Sequence, residues 1–228
     1  MNKHSRALLL GMLIGDGCLK TKKHTQLDGT LSIYYEYVLC HSDKQREYLE
    51  YKLDLFHSIM GGKKPKIHLG IADLGGIKHN TVRFSRCHKL FRILHKYLYS
   101  KNNKKYITER VLKYLNPQAI AIWYMDDGGL SKTKRPDGSV CSTQMRLHTY
   151  CTEIEIDLIC AYFAEVWGIH PHKAKYGNKD QWNLRFNIKE QFKFEDLISE
   201  YIIPSMRYKL PSNWIPRVLD TQKGEEIV

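Results

Sequence analysis

Residues 7–19, ALLLGMLIGDGCL, and residues 118–130, QAIAIWYMDDGGL, decide the fold, because they are two readings of one pattern. A shift of 111 residues overlays them. Asp16 then meets Asp127, Gly17 meets Gly128 and Leu19 meets Leu130. At the same shift Cys40 meets Cys151. Further along the shift falls to between 102 and 104, and Arg83-Phe84 meets Arg185-Phe186, Tyr97 meets Tyr201 and Lys105 meets Lys209. Matches kept in order, with a shift that drifts only slightly, mark an internal repeat. The chain therefore divides into two copies, 1–115 and 116–228.

Each copy has the same plan. Both opening segments are apolar nearly all round, the pattern of a buried helix. Asn116-Pro117 is a helix start, with Asn as N-cap and Pro at the first helical position. Ser5 is the matching cap in copy one, and the Gly after each Asp is the stop signal. Strand-like residues follow at 31–39 and 145–151, then amphipathic helices at 43–60 and 153–167. Two further strands are expected in each copy, near 66–71 and 81–86, then near 171–176 and 181–188. Closing helices are expected near 88–99 and 190–202. The plan, helix, two strands, helix, two strands, helix, predicts an α+β fold with antiparallel hairpins.

Composition narrows the function. The 228 residues carry 36 Lys or Arg against 24 Asp or Glu, a formal charge of +12. Such a basic chain, with 15 Tyr, suits a polyanion, and nucleic acid leads. The apolar run 7–14 is far short of the roughly 18 residues of a membrane span. It is followed by Gly-Asp-Gly and no A-x-A pattern, which argues against a secretory leader. Six Cys without a CxxC pair disfavour a zinc finger or a disulfide scaffold and fit a reducing, intracellular compartment, whether the cytoplasm or nucleoid of a prokaryote or an organelle.

Charge is also segregated. Copy one has net charge +13 and copy two −1. In copy two the basic residues cluster on strand candidates and the acidic ones on helices, as a sheet facing phosphates with helices behind it would require. Lys20, Lys22 and Lys23 follow the first repeat, and Lys132, Lys134 and Arg135 follow the second. With Arg83, Arg146 and Arg185 on strands, these are the candidate DNA contacts. Arg can read guanine bidentately, whereas Lys mostly binds phosphate.

Gly11 and Gly15 lie four apart on one face of the first helix, and Ala119 and Ala121 lighten the second. Gly costs about 1 kcal/mol inside a helix, a cost that close helix packing offsets. The opening helices should therefore pack on each other and bring Asp16 and Asp127 side by side. A carboxylate at a helix C-terminus opposes the dipole at a cost of roughly 0.3–1 kcal/mol, and the two also repel. Bound cations remove both costs, and oxygen ligands beside a polyanion favour Mg²⁺, two or more ions in all.

The segments LLLGMLIGDG and IAIWYMDDGG resemble the two degenerate motifs of the LAGLIDADG homing endonucleases, in particular the monomeric double-motif branch. The resemblance runs over roughly 6–215 and includes Asn-Asn-Lys-Lys at 102–105 and Met-Arg-Tyr-Lys-Leu-Pro at 206–211. It implies two pseudo-symmetric αββαββα half-domains, 1–115 and 116–228. The motif helices would meet at a central interface, with saddle-shaped antiparallel sheets over the DNA major groove. It implies a monomer that cuts both strands of a long DNA site, leaving short 3′ overhangs. Asp16 and Asp127 match the family's metal-binding acids, joined by the backbone carbonyls of Gly15 and Asp126. Lys105 and Lys209 match its basic catalytic residues, which assist the water nucleophile or stabilise phosphorane charge. Copy one lacks the first acid of the motif but keeps Asp16. Two alternatives share the scaffold: a maturase that binds intron RNA, and a non-catalytic DNA-binding regulator. The initial Met and the absence of intein splice junctions point to an intron-encoded or free-standing protein.

Overall fold

In the computed structural model, which describes residues 1–100, 102–178 and 180–214, the helical plan appears twice. The first series is α1 (Lys3–Ile14), β1 (Cys18–Thr25), β2 (Leu31–Ser42), α2 (Arg46–Met60), β3 (His68–Leu74), β4 (Ile77–Cys87) and α3 (Leu90–Leu98). A short α4 (Glu109–Leu112) leads to the second series. That series is α5 (Pro117–Asp127), β5 (Gly128–Lys134), β6 (Val140–Cys151), α6 (Glu153–Trp167), β7 (His172–Lys175), β8 (Trp182–Arg185) and α7 (Ile188–Ile198). Two four-stranded antiparallel sheets result, ordered β1-β2-β4-β3 and β5-β6-β8-β7. The fold is the expected α+β one, and the two sheets have the same topology. No helix among the described residues is long and apolar enough to cross a membrane.

Local chemistry explains the element ends. Asn116 caps α5 by accepting the Ala119 N–H, with Pro117 at the first helical position. Thr152 and Glu155 form a reciprocal capping box on α6, and Gly168 closes it in the left-handed region. Two expectations are corrected. The cap of α1 is Asn2, which accepts from the Ser5 N–H, so Ser5 lies inside the first turn. And α1 stops at Ile14, with Gly15 as its C-cap, before Asp16 rather than after it, while α5 runs on through Asp127. The difference traces to one position: copy one has Gly15 where copy two has Asp126.

The core forms around α1 and α5, which are in direct contact and almost fully buried from Ala7 to Ile14 and from Ala119 to Met125. Gly11 is where they come closest. A Cβ there would stand 2.6 Å from the carbonyl oxygen of Ala119 and 2.9 Å from its Cα. No side chain fits between these backbones, which accounts for Gly in mid-helix. On each side the sheets add their inner faces. Tyr37, Leu39, Val82 and Phe84 are fully buried, as are Met145, Leu147 and Leu184. Tyr37 stacks on Phe56 of α2, 4.8 Å between ring centroids. All six cysteines are free thiols. The expectation that the tail after Leu219 frays lies outside the described residues.

Candidate active site at the paired helix ends

The packing of α1 on α5 fixes where their C-terminal ends meet. Gly15 makes the junction possible: a Cβ there would fall 2.2 Å from Oδ2 of Asp126 and 2.8 Å from its Cβ. The Asp126 side chain thus occupies the space that Gly15 leaves. Its Oδ2 accepts the backbone N–H of Asp16 at 3.0 Å. Its Oδ1 accepts the Tyr48 hydroxyl at 2.7 Å and the Lys52 ammonium at 2.6 Å. The side chains of both Lys52 and Asp126 are fully buried. Lys52 also lies over the Tyr48 ring, 4.5 Å from its centroid. One buried carboxylate therefore ties α5 to α2 and holds the backbone of Asp16.

Around this tie stand the two candidate metal ligands. Asp16 has a side chain 40% exposed, so its carboxylate is open to solvent. Burial raises its pKa, and the nearby charge of Asp126 adds to the rise. The Asp127 carboxyl is pushed up to about 7, first by burial and then by Asp126 and Asp16. Its Oδ2 accepts the indole N–H of Trp123 at 3.1 Å. These carboxylates crowd one another with only partial compensation. That is the chemistry of a donor set that fits a hard divalent cation, whose charge would reverse both shifts.

Each helix end also holds a lysine. Lys105 Nζ donates to the carbonyls of Gly15 at 2.7 Å and Gly17 at 2.9 Å. Lys209 Nζ donates to the carbonyl of Met125 at 2.6 Å. Burial lowers the pKa of both amines, and the three aspartates oppose that fall. Their backbones are anchored too. Lys105 bridges to Tyr99, whose hydroxyl accepts the Leu19 N–H, and the Lys209 carbonyl accepts the Tyr124 hydroxyl. The lysines thus repeat one arrangement on carbonyls at the end of each motif helix. The Gly15 carbonyl, a candidate metal ligand, keeps a second lone pair beside Lys105.

The sheets present a second face away from the core. Residues paired across an antiparallel ladder share a face, so register assigns the candidate DNA contacts. Arg83 pairs with Cys40 and His68, on the face opposite Val82 and Phe84. Lys20 and Lys22, paired with Glu36 and Tyr34, lie on that face as well. Lys22 is held by Glu36 at 2.8 Å. Lys23, paired with Ile33, points to the other side. In the second sheet Arg146 pairs with Arg185, and Arg185 with His172, on the face opposite Met145, Leu147 and Leu184. Lys132 pairs with Thr143 on the core-facing side and sits 3.1 Å from the centroid of the Trp214 ring. Lys134 follows a register shift, and Arg135 lies at the hairpin turn, bonded to Ser139.

Three side chains here escaped the sequence reading: Lys52, Tyr48 and His41. The signal was present in their spacing. Lys52 lies on the apolar stripe Tyr48, Leu49, Leu53, Phe56 of α2. His41 continues the inward alternation Tyr37, Leu39 on β2. A polar residue on a buried stripe needs a partner. Asp126 was considered only for its carbonyl, yet its side chain makes the contacts.

Known proteins resemble this chain in sequence and in fold. A sequence profile of the LAGLIDADG DNA endonuclease family matches residues 6–194. Protein RecA of Mycolicibacterium chitae is 30% identical over 213 residues, covering 89% of this chain and 45% of that protein. The chain thus spans about half the length of the curated relatives of that kind. The cytochrome b mRNA maturase bI2 of Debaryomyces hansenii is 28% identical over 213 residues, covering 92% of this chain and 74% of that protein. Among solved structures, the homing endonuclease I-WcaI bound to its DNA recognition sequence superposes with a TM-score of 0.71. It is 24% identical, and the match covers 92% of this chain and 86% of that one.

Proposed function

Because this chain belongs to the LAGLIDADG DNA endonuclease family, we propose that it is a metal-dependent, site-specific endonuclease cutting both strands of double-stranded DNA. One observation carries the reading: at the C-terminal end of each of two packed helices stands a carboxylate, Asp16 just past α1 and Asp127 closing α5, with a lysine held on a neighbouring carbonyl. Two such ends serve two strands, and one chain supplies both, so it acts as a monomer. The half-domain boundary lies between α4 and α5, at residues 115–116.

Asp16 and Asp127 would hold the divalent cations, Mg²⁺ by the chemistry of the donors, and when bound these would supply Lewis acidity to water and to the phosphate. The chain's own residues do the rest. Lys105 and Lys209 are fixed by their carbonyl contacts and supply positive charge where the phosphorane gains negative charge. Asp126 and Lys52 hold the Asp16 backbone in place. The sheets carry the DNA. Arg146 and Arg185 stand directly opposite each other, a like-charge pair that costs stability in the free protein. The Nε of Arg146 is buried without a partner. Phosphates or base edges beside these guanidiniums would offset that cost and make binding fall steeply with salt.

The test is a cleavage selection. Plasmids carrying randomised inserts are incubated with the protein and Mg²⁺, and the ends of linear products are sequenced. The expected product is a double-strand break at one long, loosely read site, with short 3′ overhangs. The match to an mRNA maturase favours intron RNA as the second candidate partner. Tight binding of intron RNA, with no break in any DNA, would replace the endonuclease reading with that one.

A further inference from the structure

The two ends of the site are not equivalent, and the difference centres on His41. This imidazole sits where β2 alternation calls for an apolar core residue, and only 5% of it is exposed. Its Nε2 is buried with no hydrogen-bond partner. Keeping that nitrogen buried costs roughly 1–3 kcal/mol, and it is the other nitrogen, Nδ1, that is turned toward the carboxylate of Asp16. The ring is held against Tyr48, 5.2 Å between centroids. Its Nδ1 lies 3.5 Å from Oδ2 of Asp16. That is long for a hydrogen bond but close to the ~3.4 Å between two ligands each about 2.1 Å from a tetrahedral dication. Ligand atoms of Asp16, His41 and Asp126 all lie within 4.8 Å of one another. Both Asp126 oxygens are already engaged by Lys52, Tyr48 and the Asp16 N–H, so Asp16 and His41 are the pair left to coordinate.

The other end has an imidazole too, His148, but it lies against Gly129 and stacks on Tyr150, and no group of three candidate ligand side chains among the described residues includes it. Val38 pairs with Cys18, and Arg146 pairs with Gly129 at the equivalent position. Beyond these positions β2 runs regularly to His41, whereas β6 has a register shift between Leu147 and Cys151, the stretch that holds Thr149. The Thr149 hydroxyl donates to the Trp182 carbonyl at 2.8 Å and is turned to that contact. The Asp127 carboxylate has the Trp123 indole as its neighbour, a donor that cannot bind a cation.

We propose that His41 is a metal ligand alongside Asp16, so that this end of the site selects a nitrogen-accepting transition-metal dication while the Asp127 end remains an oxygen-ligand site. Imidazole raises affinity for Co²⁺, Ni²⁺ and Zn²⁺ far more than for Mg²⁺ or Ca²⁺. The inference rests on the proposed role of Asp16 as a metal carboxylate.

The test uses DNA-free full-length protein and Co²⁺, followed by its visible absorption and by calorimetry. His41→Ala and Asp16→Asn should each weaken the tighter Co²⁺ site at least tenfold, whereas Asp127→Asn should leave that site within twofold of wild type. Calcium affinity should change less than threefold in His41→Ala. Loss in Asp16→Asn with none in His41→Ala would overturn this inference and leave the Asp16 assignment standing. Loss in neither would overturn both. A measurement on the unaltered protein guards against a misfolded variant: pulsed EPR with Mn²⁺ bound should show coupling to a histidine nitrogen. Its absence would likewise overturn the inference.

Discussion

Replacing Asp127 with Asn should stabilise the metal-free protein at neutral pH while removing a carboxylate the proposed chemistry needs. Asp127 has its carboxyl pushed up to about 7 from an ordinary 3.8, because burial and two neighbouring carboxylates disfavour its charge. A raised carboxylate pKa means the folded state holds the proton longer than the unfolded chain. Nothing is lost below pH 4, where both states are protonated. Stability then falls as pH rises through the window from about 4 to 7, and the full loss is present above it. Three units correspond to at most about 4 kcal/mol. Asn keeps an oxygen for the Trp123 N–H and never ionises. The gain of Asp127→Asn over wild type should therefore be near zero at pH 4, grow to pH 7 and stay level to pH 8. Urea unfolding at several pH values, in EDTA, measures it. A gain that shrinks as pH rises would contradict the assignment. Excess divalent cation should reduce the gain, since only wild type keeps both carboxylates to bind it.

Lys52→Ala should be among the most damaging single changes in the protein. It leaves the Asp126 carboxylate buried with the Tyr48 hydroxyl and the Asp16 N–H but without its ion-pair partner. Removing one partner of a fully buried ion pair costs about 3–5 kcal/mol. The double variant Lys52→Met with Asp126→Asn restores neutrality and should recover a large part of that loss. The recovery, read from a four-protein unfolding cycle, separates the charge pair from simple cavity formation. A double variant no more stable than Lys52→Ala would show that packing, not charge, is what Lys52 contributes. The pair connects α2 to α5.

Much of this was legible in the sequence because the repeat carries its own control. Gly11 and Gly15 read as contact points, and they meet Ala119 and Asp126 in the structure. The helices expected at 153–167 and 43–60 announced themselves by apolar spacing and end glycines, the second starting at Arg46 after a single turn at 43–45. The first strand of each sheet did not. β1 reads CLKTKKHT, with Lys20 and Lys22 on its open face, and β5 reads GGLSKTK, with Ser131 and Thr133 on its open face, so neither shows a strong apolar alternation. The lysines that hid β1 are among the residues that pointed to a candidate nucleic-acid face. Register then sorted residues that sequence could only group. Lys20 and Lys22 share the open face with Arg83, while Lys23 and Lys132 lie on the opposite side of their sheets. The Asp126–Lys52 pair was invisible because its members lie 74 residues apart and meet only once α2 packs on α5.

The central claim is that the two helix-end carboxylates cut DNA. Its most direct test is cleavage of the selected duplex, each strand labelled, by wild type, Asp16→Asn and Asp127→Asn with Mg²⁺. The account predicts double-strand breaks by wild type and loss of at least about a thousandfold in rate for each variant, since each removes a metal ligand from one strand's site. A variant that binds the same duplex and still breaks both strands at the wild-type rate would contradict it.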